Sequence, residues 1–369
     1  MTNSQRRKLP TKPKRNNVGL TTACGQLVTK RQPKATTDTM GNAYGRVHIY
    51  PADREHQKLE ILKRVHEFPI PLRETIQETK PEDTELFLSI LEDRLVGLLY
   101  GIKGNGLDCS RDTHQEIETA IRFFPHVLSE RYWGTHPPIY AQLAYLKSVP
   151  FIPLLARLGI EYKQFQKEER GGLFYKKWNV LRSLVNNDFR EWYDENDDYH
   201  QNLVDKHYAA AIRALRDSGI FRTQDIREQD LIRELYQNKN FPEHRFRCLV
   251  DYDPEIFYSM ESSIYNIWPD QSVFRTVFEI GFFYFPTQFG FVFHVDNNST
   301  PFSRACHEFG TETATKIIGH ILSNNEETMD TTETLIHAAT NPIVHWDALY
   351  FLLRRDPSRC HQATAKACR

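Results

Sequence analysis

The sequence contains no apolar run near the roughly 20 residues that cross a bilayer, although 40% of its residues are hydrophobic. A chain that folds in water is expected, not one embedded in a membrane. No charge dominates either: 47 Lys and Arg face 48 Asp and Glu, a formal net of −1. The average therefore singles out no polyanionic or polycationic partner. There is no Cys-x-x-Cys. Cys24, Cys109, Cys248, Cys306, Cys360 and Cys368 stand at scattered spacings, which argues against a disulfide framework and for free thiols in a reducing compartment. The Asn-x-Ser/Thr matches at Asn297 and Asn298 then carry no meaning. No apolar run follows the basic residues at the start, so no secretory signal is expected.

Signatures of chemistry are also missing. Gly101-x-x-Gly104-x-Gly106 has neither the Lys-Ser/Thr of a P-loop nor the spacing of a dinucleotide fingerprint, and reads as a helix-ending turn. Cys306-His307 and Cys360-His361-x6-Cys368 lack the four closely paired ligands of a structural zinc site. The acidic run Asp194, Glu195, Asp197 and Asp198 lacks the ordered ligand register and tight-turn Gly of a calcium loop, and reads as solvated. Fifteen histidines, among them His294, His307, His320, His337 and His345, select no nucleophile–base pair. No catalytic residue, cofactor or metal is assigned, and the chain is read as a non-enzyme.

The neutral average hides a split. Residues 1–46 hold Arg6, Arg7, Lys8, Lys12, Lys14, Arg15, Lys30, Arg31, Lys34 and Arg46 against Asp38 alone, a net of +9. Ten of the 47 basic and one of the 48 acidic residues lie there. That leaves 37 against 47 elsewhere, a net of −10. With few large apolar side chains, 1–46 cannot bury enough surface to offset its ordering entropy, and reads as a disordered basic arm. Its densest part, Arg6, Arg7, Lys8, Lys12, Lys14 and Arg15 broken by Pro10 and Pro13, suits the acidic grooves of nuclear import receptors. Nucleic-acid contact, an organelle transit peptide and a purely solubilising arm are the other readings.

From 47 onward the texture is helical. Leu59, Ile61, Leu62 and Val65 form a short stripe. Leu86, Phe87, Ile90, Leu91, Leu95, Leu98 and Leu99 recur at helical spacing. Thr113 with Glu116 predicts a capping box. A helix is read over Leu203–Leu215, and Thr223 is read as a cap. Alternating strands are scarce. Phe289-Phe291-Phe293-Val295 is the best of them. It closes an aromatic stretch in which Phe278 and Phe282 are read as inward.

Two segments line up without gaps at a spacing of 34 residues. Thr300-Pro301-Phe302-Ser303-Arg304-Ala305 matches Thr334-Leu335-Ile336-His337-Ala338-Ala339, and apolar pairs follow at Ile317-Ile318 and Leu352-Leu353. Weaker copies start at Pro137-Pro138-Ile139 and Ser262-Ser263-Ile264. An apolar helix end also runs into Pro at Phe123-Phe124-Pro125, at Leu249 to Pro254 and at Phe351 to Pro357. In such a unit Thr caps the helix, Pro occupies its first position, and a small Ala allows close helix approach. One unit cannot bury its face alone, so units stack.

This pattern resembles the ankyrin repeat, whose helix opens Thr-Pro-Leu-His-x-Ala. Thr300, Pro301, Phe302 and Ala305 fit it in one copy, and Thr334, Ile336, His337 and Ala339 in the next. Arg122-Phe123-Phe124-Pro125, Pro150 to Leu155, Arg170-Gly171-Gly172-Leu173 and Thr334 to Arg355 resemble more specifically a lineage-expanded group of degenerate ankyrin-like proteins in single-celled algae. That resemblance implies no defined activity. It implies that His337 bonds the adjoining loop backbone, and that inter-unit turns carry partner contacts. Residues 160–255 show no clean copy.

The expected architecture is an all-α solenoid of about six to eight stacked helical hairpins over 47–369, clearest at 300–333 and 334–369 and weaker at 123–160 and 241–290. The expected function is a protein-binding scaffold, nuclear or cytoplasmic. The eight aromatics of Val277–Phe293 read as core filler between helices, or, if neighbouring units leave one side of the strand uncovered, Phe289 and Phe291 read as exposed anchors for a protein partner. A nucleic-acid-associated adaptor using the arm, or an enzyme with an unrecognised site, are the alternatives.

Overall fold

A computed structural model describes residues 51–79, 82–102, 106–131, 136–186, 198–236, 238, 241–259, 270–295, 299–324, 331–340 and 344–355. The basic segment 1–46, most of the acidic run, Gly104, the Ser262-Ser263-Ile264 copy, the Pro357 of the last helix-into-Pro element, Cys360 and Cys368 lie outside them. The described helices are α1 (Pro51–Lys63), α2 (Ile70–Glu78), α3 (Thr84–Tyr100), α4 (His114–Phe123), α5 (Pro138–Ala141), α6 (Ile152–Glu161), α7 (Val180–Asn186), α8 (Asp198–Asp217), α9 (Thr223–Glu228), α10 (Leu231–Tyr236), α11 (Glu243–Tyr252), α12 (Ile256–Ser259), α13 (Gln271–Tyr284), α14 (Pro301–Phe309), α15 (Thr311–Asn324), α16 (Thr331–Thr340) and α17 (Trp346–Arg355). Among the described residues, β-structure is confined to the antiparallel pair β1 (Phe174–Tyr175) and β2 (Trp178–Asn179) and one bridge, His294 with Val344. No described helix is long and apolar enough to cross a membrane.

Local chemistry sets the boundaries. Thr113 and Glu116 form the predicted capping box at the start of α4. α3 ends at Gly101, whose φ of +66° suits a residue without a Cβ. The helix read over Leu203–Leu215 lies within α8. Thr223 opens α9 as its first helical residue; Arg222 holds the cap position.

The helix-into-Pro element recurs in three dimensions. After α4, Phe124 takes φ −132°, ψ 59° before Pro125. After α13, Phe285 takes φ −133°, ψ 61° before Pro286. Asp253, ahead of Pro254, takes φ −138°, ψ 83°. In all three the third residue on donates its N–H back: Val127 to Phe124 O, Ile256 to Asp253 O and Gln288 to Phe285 O. Proline explains the shared geometry, because it bars the preceding residue from helical backbone and then starts a fresh turn.

Packing follows chain order. α1 and α2 rest on α3, α3 on α5, α4 on α6, α6 on α8, α8 on α11, α11 on α13 and α13 on α15. One apolar core runs through these layers.

The stretch 160–255 is joined by charge. Arg170 grips the buried Asp225 through two bonds of 2.5 and 2.7 Å. Three successive residues there, Arg170, Gly171 and Gly172, have positive φ. A Cβ on Gly171 would fall 1.9 Å from Ala156 O, so only Gly fits. Arg182 pairs with the buried Glu234. Arg245, itself buried, pairs with Asp205 at 2.9 Å and donates to Leu184 O and Val185 O.

The 34-residue match is half realised. Thr300 caps α14 by accepting from Ser303 N at 3.0 Å, Pro301 follows at the first helical position, and Ala305 is fully buried. In the second copy, α16 begins at Thr331, one turn early. Thr334 is therefore not a cap but a buried residue inside the helix. Ala339 is exposed rather than closely packed. Pro301 fixes the first start, whereas Leu335 in the matching slot leaves the helix free to extend upstream.

The aromatic run corrects a second expectation. Phe289-Phe291-Phe293 is not an alternating strand. Pro286–Phe291 forms a 3-10 turn in which Phe289 and Phe291 have φ of 53° and 65°. These left-handed residues turn their rings inward, and burial of the rings offsets the backbone cost.

Candidate protein interaction surface

Of the two readings of Phe289 and Phe291, core filler and exposed anchor, burial decides: they are 0% and 2% accessible. They are core. Phe291 stacks on Phe257 at 6.0 Å, and Phe289 meets Phe282 and Phe293 edge-on. Phe278 and Phe282 are inward as expected.

This cluster is the footing for the last described helix. Phe293 packs on Phe351 of α17 at 5.5 Å, and Phe302 of α14 meets the same ring at 5.1 Å. His345 N donates to Phe293 O at 2.9 Å, beside the His294–Val344 bridge. Ala348 is fully buried. These contacts fix which side of α17 faces in.

At 100° per residue, Ala348 and Phe351 define the inner side, and Trp346, Tyr350 and Leu353 share the opposite one. Their exposures are 77%, 59% and 43%. Leu353 was expected in the packing pair Leu352-Leu353, and instead faces out. Arg354 Nη1 donates to Tyr350 Oη at 3.2 Å, and Asp347 Oδ2 lies 3.1 Å from His345 Nδ1. The spacing of Trp346, Tyr350 and Leu353 was visible in the sequence. Its direction was not, because it depends on which side Phe351 buries.

His294 is the bridge partner of Val344, which stands two residues before α17. Burial, and secondly the nearby His337, push its pKa down to about 4. Among the described residues its Nε2 has no hydrogen-bond partner. His337 itself is half-buried in α16. Arg6, Arg7, Lys8, Lys12, Lys14 and Arg15 lie outside the described residues.

Comparison with models of known protein families found no match, and neither curated proteins nor solved structures gave one.

Proposed function

We propose that this chain is a non-catalytic, protein-binding scaffold of ankyrin-like stacked helical units, and that the outer face of α17 is a docking surface. The carrying observation is the exposed row Trp346, Tyr350 and Leu353 on a helix whose opposite side is anchored. Contiguous exposed aromatic and aliphatic side chains mark interaction sites more often than isolated ones do. Trp and Tyr are also the residues that most often dominate binding energy. The recurring Pro junctions at Phe124, Asp253 and Phe285 and the chain-order packing support the stacked reading.

The test is affinity capture with the intact chain against a Trp346→Ser, Tyr350→Ser variant. The expected result is loss of captured partners at an unchanged melting temperature. An unchanged partner set would remove the reading. The arm carries a second part of the proposal, nuclear import, with nucleic acid as the alternative partner. A reporter bearing residues 1–20 should concentrate in nuclei, and should spread evenly once Arg6, Arg7, Lys8, Lys12, Lys14 and Arg15 become Ala.

A further inference from the structure

We infer that the α17 face docks a second copy of this chain, with the two α17 helices antiparallel. The inference rests on reading that face as a docking surface and names its occupant. The row is close to two-fold symmetric. The row is centred near Tyr350, with Trp346 four residues before it and Leu353 three after. A two-fold axis through that centre sets Trp346 of one copy against Leu353 of the other, and Tyr350 against Tyr350. Isologous contacts of this kind need a patch complementary to itself.

Charge supplies the second half. Asp347 and Arg354 are seven residues apart, so at 100° per residue they lie on the same flank of the row. The two-fold axis reverses helix direction but keeps that flank on the same side. Asp347 of each copy therefore faces Arg354 of the other, giving two reciprocal ion pairs beside the apolar row. A parallel pairing would put the two charged flanks on opposite sides of the seam, where neither Asp347 nor Arg354 meets its counterpart.

The chain's next segment offers no substitute. Residues 356–369 contain no Val, Leu, Ile, Met, Phe, Tyr or Trp, so they hold no large apolar side chain to cover the row.

Area sets the strength. The three side chains offer roughly 400 Å² per copy, judged from the usual size of aromatic side chains. A stable complex buries about 800 Å² per partner. The net −10 of 47–369 also opposes association. An interface this much smaller than the standard size is expected to be weak and to form only at high protein concentration.

Sedimentation equilibrium of the full chain from about 1 to 300 µM tests this. The expected result is a mass rising from monomer towards dimer. Asp347→Lys and Arg354→Glu should each weaken association about five-fold or more, and the double charge swap should recover most of it. Trp346→Ser with Tyr350→Ser should abolish it without lowering the melting temperature. A monomer at every concentration, or a charge swap that recovers nothing, overturns self-pairing. If the chain stays monomeric while the Trp346→Ser, Tyr350→Ser variant still loses its captured partners, docking stands and only self-pairing falls. If capture is also unchanged, both fall.

Discussion

The stretches 160–255 and 271–355 are both mainly helical, yet they close by different means. In the first, buried carboxylates are gripped by arginines brought from distant positions: Asp225 by Arg170, Glu234 by Arg182, Asp205 by Arg245. In the second, closure is aromatic. Phe289, Phe293, Phe302 and Phe351 form one chain of ring contacts, and Phe257, Phe285 and Phe291 form a second. Ionic closure is directional and fails sharply when one partner is lost. Aromatic closure tolerates more variation in geometry and leaves a helix free to present its outer side.

That contrast can be broken by mutation. Asp205→Leu strands the buried Arg245, and should cost about 4 kcal/mol in chemical denaturation. Adding Arg245→Met should recover much of that loss, because no lone charge then remains. Phe289→Ala removes a fully buried ring, and should cost about 3 kcal/mol. No second substitution of this simple kind should restore it. Equal rescue in both stretches would erase the distinction.

Acid should weaken the aromatic stretch through His294. His294 is held at about 4 in the folded chain, against about 6.5 when unfolded. The unfolded form takes up a proton first, so its contribution is complete above pH 6.5 and is lost as pH falls from 6.5 towards 4. The loss is on the order of 2 kcal/mol, read as the change in denaturation midpoint between pH 7 and 4.5. His294→Phe should flatten that dependence. The smallest effect concerns the cap: Thr300→Ala should cost about 1 kcal/mol through loss of its bond to Ser303 N.

Much of the helical content was legible in the sequence. The Thr113–Glu116 box, the stripe of α3 and the Thr300-Pro301 start are local signals, and local signals survive folding. The three Arg–carboxylate pairs were not legible. Their partners stand 40 to 55 residues apart, and nothing in the spacing couples them. The second ankyrin-like copy misled for a different reason. Thr334 carries the expected letter, but without a Pro after it nothing fixes the helix start. The aromatic run was conspicuous by composition. Its orientation turned on two left-handed backbone angles at Phe289 and Phe291, which alternation alone could not foresee. The same missing orientation hid the α17 row.

The central claim is that the Phe289–Phe291 cluster is a footing and the Trp346–Tyr350 row is the working surface. Its most direct test is a paired comparison of thermal unfolding and partner capture. The account predicts that Phe289→Ala with Phe291→Ala lowers the melting temperature by about 5–10 °C, while capture persists at temperatures where the variant is folded. Trp346→Ser with Tyr350→Ser should leave melting unchanged and remove capture. The reverse pattern, with stability lost through Trp346 and Tyr350 and capture lost through a still-folded Phe289 and Phe291 variant, would contradict it.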